Sequence, residues 1–365
     1  ADDSTIEVTY ITTNGSAANG ARNFTFSGNL TYSSTGEERS VTTGISGITT
    51  IQASEQGDEI ESIDTIKYLA PRVYASQYRA VTATDYTSLI PFLYPNIESV
   101  TAYGGEELDP PQYGRVFITV KPKNGEFLST VAKDSIKNDL KQYAVAGVKQ
   151  EFLDLKYLYV EYDSTVSYDP SFVTNPSQLY TRIVKSIENY AKSSDINSFG
   201  GRLKYSKLLS QIDQVDTGIT SNITNLVIRR NMVPAYNQLA NYELCYVNKF
   251  HAEIEGFNIR SSGFTVEGIE GTVFLTDVPN TDITIPGRPS QVVPKTGSIS
   301  IIRIDENNVI STVISDAGMV DYEKGEIILY PINITSTSLE NRIEIEATPD
   351  SNDIIAKENL YIVLD

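Results

Sequence analysis

Between Pro95 and Met232 the spacing of apolar residues switches repeatedly between two and four, and this alternation constrains the fold of the 365-residue chain more than any other feature. "IESVTAY" and "GRVFITVK" alternate as strands do, with Val116, Ile118 and Val120 on one face. "EFLSTVAKDSIKNDLKQYAV" then steps by four. It puts Leu128, Ala132, Ile136 and Leu140 on one side of a helix, with Tyr143 three residues further on. "EFLDLKYLYVEYDSTVSY" reads as a strand again, with Tyr157 and Tyr159 on one face and Tyr162 on the other. Its apolar residues do not keep one parity, which predicts a single long strand that is bent or bulged. Asn175 before Pro176 marks the start of a second helix, striped by Leu179, Ile183, Ile187 and Tyr190. Gly200-Gly201 breaks the chain. Leu203, Leu208, Leu209 and Ile212 then predict a third helix, and "NITNLVIRR" a further strand. The order β-β-α-β-α-α-β argues for an α+β domain whose helices cover a mixed sheet.

The two ends are β-rich. "STIEVTYITT", "NFTFSGNLTY" and "TGISGITT" are Thr- and aromatic-rich runs separated by loop residues such as "NGSAANG". Beyond Leu244, "GTVFLTDV", "GSISIIRID", "NVISTVIS", "GEIILYPI" and "NRIEIEAT" are separated by Pro, Gly, Asn and Asp, and "IDENNVI" is a hairpin pattern. The expected architecture is α+β and multidomain. It has a β-rich domain over 1–68, an α+β core with a mixed sheet over 69–243, and a β-rich sandwich or open barrel over 244–365. A chain of this length is expected to divide into two or three domains.

Charge follows the same division. The net charge of −18 is made of −7 over residues 1–70, +1 over 71–250 and −12 over 251–365. A chain so acidic at both ends is a poor partner for nucleic acid, where Lys and Arg must neutralise phosphates. No run is apolar enough to span a membrane and no signal-peptide pattern opens the chain, so a membrane is not expected as a partner either. No Met precedes Ala1, which predicts a processed form or a piece of something longer. Cys245 is the single cysteine, which excludes an internal disulfide and favours a reducing compartment.

Catalytic residue types are scarce. His251 is the single histidine, and Cys245 with His251 is too sparse for a zinc site. No nucleophile-elbow or Walker pattern is present. "YGGEE" and "FGGR" have paired glycines without phosphate-loop spacing. The carboxylate groups Glu106, Glu107, Asp109 and Glu55, Asp58, Glu59 lie in loops, without the apolar burial a proton-donating acid needs. "DENN" at Asp305–Asn308 reads as a hairpin turn and not as a calcium loop. No cofactor and no metal is expected. Twenty-three tyrosines and no tryptophan suit contact surfaces better than a sugar platform.

One stretch is dense in charge: "ESIDTIKYLAPRVYASQYRAVTATDYTSLI", Glu61–Ile90. Pro71 biases Ala70 toward an extended conformation, so a strand or linker is expected to end there. Thr82 to Asp85 forms a capping-box pattern at the start of a helix carrying Tyr86, Leu89, Ile90 and Leu93 on one face. Pro91 is expected to kink or shorten that helix and Pro95 to end it.

This stretch, with "VTYITTNGSAANG" before it and "IESVTAYGGEE…GRVFITVKPKNG" after it, resembles the baseplate J-like family, the wedge proteins of contractile phage tails and related injection machines. The resemblance covers roughly residues 5 to 240 and rests on Glu61, Asp64, Pro71, Arg72, Tyr78, Arg79, Ala80, Val81, Thr82, Asp85 and Tyr86. It implies no enzyme. It implies a virion protein of the tail baseplate, assembled in the host cytoplasm. Such a subunit dimerises, contacts other wedge subunits and the hub and tail-tube region, and changes arrangement when the sheath contracts. Glu61, Asp64, Arg72, Tyr78, Arg79 and Asp85 are then candidates for a joint, with the arginines facing the carboxylates or a neighbouring chain. The alternative is a carbohydrate-binding adhesin or tail-fibre domain, favoured by the β-rich ends and the Tyr and Asn content.

Overall fold

The computed structural model describes residues 14–25, 30–34, 37–41, 54, 60, 63–108, 110–123, 125–193, 195–281, 294–357 and 359–365. "STIEVTYITT", "TGISGITT" and the group Glu55, Asp58, Glu59 lie outside them. The chain divides into two compact units, Ala1–Phe152 and Leu153–Asp365. The boundary expected at 68/69 falls inside a helix, and the one expected at 243/244 falls inside the second unit.

The first unit holds β1 (Leu30–Ser34), β2 (Glu37–Val41), α1 (Ile63–Ser76), α2 (Ala83–Leu93), β3 (Ile97–Gly104), β4 (Arg115–Pro122), α3 (Thr130–Leu140) and β5 (Lys149–Phe152). β1 and β2 form an antiparallel hairpin. β3 pairs antiparallel with β4, and β4 pairs parallel with β5. Val116, Ile118 and Val120 of β4 pack with Tyr86, Leu89 and Ile90 of α2 and Ile136 and Leu140 of α3. Both helices start on capping side chains: Thr82 accepts from the Asp85 amide, and Ser129 from the Ala132 amide. The paired glycines of "YGG" are a close backbone approach, since a Cβ on Gly105 would lie 1.9 Å from the Gln112 carbonyl oxygen.

Two expectations are corrected here. Pro71 lies inside α1 instead of ending a strand or linker. Leu69 and Val73, one turn apart, are buried, and their packing holds the helix through a proline that has no N–H to donate. The long strand over residues 151–168 is two strands. β5 ends at Phe152 in the three-stranded sheet, and β6 (Lys156–Tyr168) begins in the other unit's sheet. The lost parity marks that break, because within β6 Leu158 and Val160 are fully buried on one face.

In the second unit β6 is followed by α4 (Pro176–Ala191), β7 (Arg202–Leu203), α5 (Tyr205–Asp213) and β8 (Ile219–Met232). Asn175 Oδ1 accepts from the Ser177 and Gln178 amides ahead of α4, as the Asn-Pro pair predicts. Then come β9 (Leu239–Cys245), β10 (Ile259–Ser261), β11 (Phe264–Val266), β12 (Phe274–Pro279), β13 (Thr296–Ile304), β14 (Ile310–Asp321), β15 (Glu326–Thr337), β16 (Ile343–Ala347), β17 (Ile354–Ile355) and β18 (Leu360–Leu364). Eleven of these strands form one sheet in the order β11-β15-β14-β13-β12-β10-β16-β8-β6-β18, with β9 on β15. Phe264 also bridges Val273 just before β12, which brings β11 back against the far side of a five-strand run. Of the sandwich or open barrel expected over 244–365, the strands form neither as a separate domain: the run from β11 to β12 curls back on itself but stays part of the sheet that holds β6 and β8. β16 pairs antiparallel with β8, and β18 pairs parallel with β6, so the end of the chain completes the sheet begun at Lys156. Helices α4 and α5 cover it, with Ile187, Tyr190, Leu208 and Ile212 in the shared core. The Asp305–Asn308 turn joins β13 to β14; Asp305 Oδ1 accepts from the Asn307 and Val309 amides, and Asn308 has φ +60°.

Candidate interaction site

The elbow between α1 and α2 collects most of the residues singled out in Glu61–Ile90. Leu69 and Val73 seat α1, and the rest of its apolar face is open: Ile63 is 71% exposed and Tyr74 85%. A groove of about 510 Å³ lies along this face, lined by Ile66, Ala70, Val73, Tyr74, Tyr78 and Phe92. Gln77 and Tyr78 turn the chain out of α1 with φ of +50° and +59°. That left-handed conformation is costly for side chains of this kind. The Tyr78 ring meets Phe92 edge-on at 5.8 Å. Ala80 is fully buried, and its amide donates to the Tyr143 carbonyl.

The charged residues of the elbow are held separately. Asp85 accepts from the Val81 and Thr82 amides at 3.1 and 2.8 Å, which completes the capping box at the positive end of α2. The Arg72 guanidinium lies over the Tyr68 ring at 3.8 Å and donates to the Tyr68 carbonyl. Arg79 donates to Gln77 Oε1 at 3.0 Å. Among the described residues, neither arginine pairs with a carboxylate of this chain. Glu61 and the side chain of Asp64 lie outside the described residues. Tyr86 belongs to the core: its hydroxyl accepts from Gln150 Nε2, and burial raises its pKa.

The other chemical candidates are dispersed. Glu106 and Glu107 are exposed, and Glu107 accepts from the Gly104 amide. Asp109 lies outside the described residues. His251 is exposed, 3.6 Å from Glu253 and 3.9 Å from Asp350. Cys245 lies on β9, where its carbonyl accepts from Arg230. Among the described residues, no group of three or more His, Cys, Asp or Glu is placed to hold a metal, and no helix is long and apolar enough to cross a membrane.

The densest charge cluster escaped the sequence. Arg229 on β8 has a side chain only 7% exposed and forms ion pairs with Glu161 of β6, Glu344 of β16 and Asp365 beyond β18. Its guanidinium also lies over Tyr159 at 4.4 Å and donates to Asn231. These contacts raise its pKa against the opposing effect of burial. One side chain thus ties four places on the sheet. The signal was present as adjacent arginines in an apolar strand, "LVIRRN".

Known proteins match this chain in order. The family described as "Baseplate structural protein gp6, C-terminal domain I" matches residues 82–153, and "Baseplate structural protein gp6, C-terminal domain III" matches residues 156–231. The first match opens at the α2 cap. The second covers β6 to β8, so the two meet where the chain passes from one compact unit to the next. "Baseplate wedge protein gp6" of Enterobacteria phage T4 is 28% identical over 246 residues, covering 64% of this chain and 34% of that protein. The chain thus spans about a third of the length of this relative. A solved structure, the cryo-EM structure of the anti-feeding prophage baseplate, aligns at a TM-score of 0.35 with 18% identity, over 51% of this chain and 43% of that one. These names do not carry the broader baseplate J-like designation. The chain is similar to gp6-like baseplate proteins of contractile-tailed phage, and this similarity is the strongest functional statement its sequence supports.

Proposed function

We propose that this chain is a structural subunit of a contractile-tail baseplate wedge, with no catalytic role. It dimerises, links neighbouring wedges into a ring around the hub and tail tube, and changes arrangement as the sheath contracts. Its place is the virion tail, after assembly in the host cytoplasm. The carrying observation is the order of the two gp6 domain matches, which follow one another along residues 82–231 and meet at the change of unit. The exposed apolar face of α1 supports the reading, since such faces mark surfaces that other chains cover.

Within this proposal the α1–α2 elbow is a joint. Arg72 and Arg79 offer guanidinium groups for bidentate pairing with Glu61, Asp64 or carboxylates of a neighbouring chain, Asp85 fixes the start of α2, and Tyr78 sets the turn. Mixed with the other subunits of a contractile-tail wedge, the wild-type chain is expected to enter a larger complex. Arg79→Ala is expected to lose that complex without a change in thermal unfolding. Failure of the wild type to join any wedge subunit contradicts the baseplate reading. Joining by Arg79→Ala as readily as by the wild type contradicts the joint.

A further inference from the structure

Among the described residues, the edge of the large sheet is open along the second half of β6. β18 pairs with β6 only over Lys156–Val160, whereas β8 pairs with the opposite side of β6 out to Tyr168. The Val160 carbonyl accepts from the Asp365 amide, so Val160 turns its backbone groups toward β18. The two-residue strand period aims the N–H and C=O groups of Tyr162, Ser164 and Val166 the same way. Among the described residues, no strand pairs with that side of β6 beyond Val160. The side chains record the same change. Leu158 and Val160, where β18 is paired, are fully buried, while Tyr162, Ser164 and Val166, on the same face, are half-buried. Beside them runs a groove of about 570 Å³ between β6 and α4, lined by Tyr162, Val166, Leu179, Tyr180 and Ile183. Among the described residues, the charged groups lining it are Asp163 and Asp365, and Asp365 is already paired with Arg229. Residues 162–168 contain neither the Lys nor the Pro that commonly guards an open edge.

We propose that this edge receives an extended segment of a partner polypeptide, which adds to β6 as a strand in line with β18. The backbone donors and acceptors at every second residue call for a strand. The apolar groove calls for an apolar side chain at every second position of the guest, and Asp163, on the other face of β6, calls for a Lys or Arg in between. The proposal stands on the sheet edge alone and survives failure of the baseplate reading.

A random-peptide display library selected on the full chain tests it. Enriched peptides are expected to alternate apolar residues and to carry a Lys or Arg. They are expected to slow hydrogen exchange at the Tyr162, Ser164 and Val166 amides and to lose binding when their own edge-facing amides are N-methylated. Val166→Lys and Ile183→Lys are each expected to weaken binding by about tenfold or more, the loss of one well-buried contact. Protection of Leu158 and Val160 amides reports whether each variant is folded, and the N-methylated peptides test the edge without any variant. Selection of no peptide, or of peptides that protect amides elsewhere, overturns the proposal. Protection of the three amides that rises with the chain's own concentration also overturns it, by assigning the edge to a second copy.

Discussion

Arg229 is expected to be far more sensitive to substitution than an exposed arginine of the same unit. Arg229→Met keeps much of the side-chain volume and removes the guanidinium that holds Glu161, Glu344 and Asp365 together. A hydrogen bond to a charged group contributes about 1.5–3 kcal/mol, but a partner in contact with water contributes at the level of a surface pair, about 0.2–1 kcal/mol. Glu344 is the most buried partner at 20% exposed, Glu161 is 36% exposed and Asp365 56%. One strong contact, two weak ones and the Tyr159 stacking sum to about 3 kcal/mol. In a unit of this size each kcal/mol lowers Tm by about 2–4 °C, so a drop of about 6–12 °C is expected in calorimetry. Arg182→Met breaks the exposed pair with Asp216 and serves as the control, with a much smaller expected shift. Equal shifts for the two variants would refute the argument that burial makes the Arg229 cluster strong.

Two further predictions concern the same sheet. The Glu346 pKa is raised, first by burial and then by Glu161. A carboxylate raised on folding binds its proton more tightly in the native state, so stability falls as pH climbs from its unfolded pKa through its folded one. Glu346→Gln is expected to raise stability at neutral pH, with the gain vanishing below the ordinary Glu range; a gain that persists in acid would contradict this. Asp277 is 1% exposed and accepts from the Tyr322 hydroxyl, the Asn258 side-chain amide and the Ile259 backbone amide. Asp277→Ala strands two buried donors and one half-buried donor and is expected to cost about 3–5 kcal/mol in urea unfolding, against about 1–3 kcal/mol for Tyr322→Phe. Equal costs would show that the carboxylate is not the centre of that network.

Legibility in the sequence followed the range of the interaction. The α2 capping box, the Asn175-Pro176 helix start and the Asp305–Asn308 hairpin were readable because each is a contact within four residues. The split between β5 and β6 is visible as lost parity, but parity alone does not distinguish a bend from a change of sheet, because membership of a sheet is decided by partners far along the chain. The same limit hid the joining of the C-terminal strands to the central sheet, where Ala347 faces Ile228 and Leu364 faces Val160. Pro71 misled because local bias against helix was overridden by the packing of Leu69 and Val73. The partners of Arg229 lie 68, 115 and 136 residues away, beyond any spacing rule. The elbow was found through resemblance, and its individual roles became legible only where Asp85 met its own helix start and Arg72 met Tyr68.

Sedimentation velocity of the full chain across a wide concentration range tests the assembly role most directly. The account predicts a dimer that persists on dilution and weakens when Tyr74 and Arg79 at the elbow are replaced together by alanine. A strict monomer at every concentration would contradict self-association through this chain.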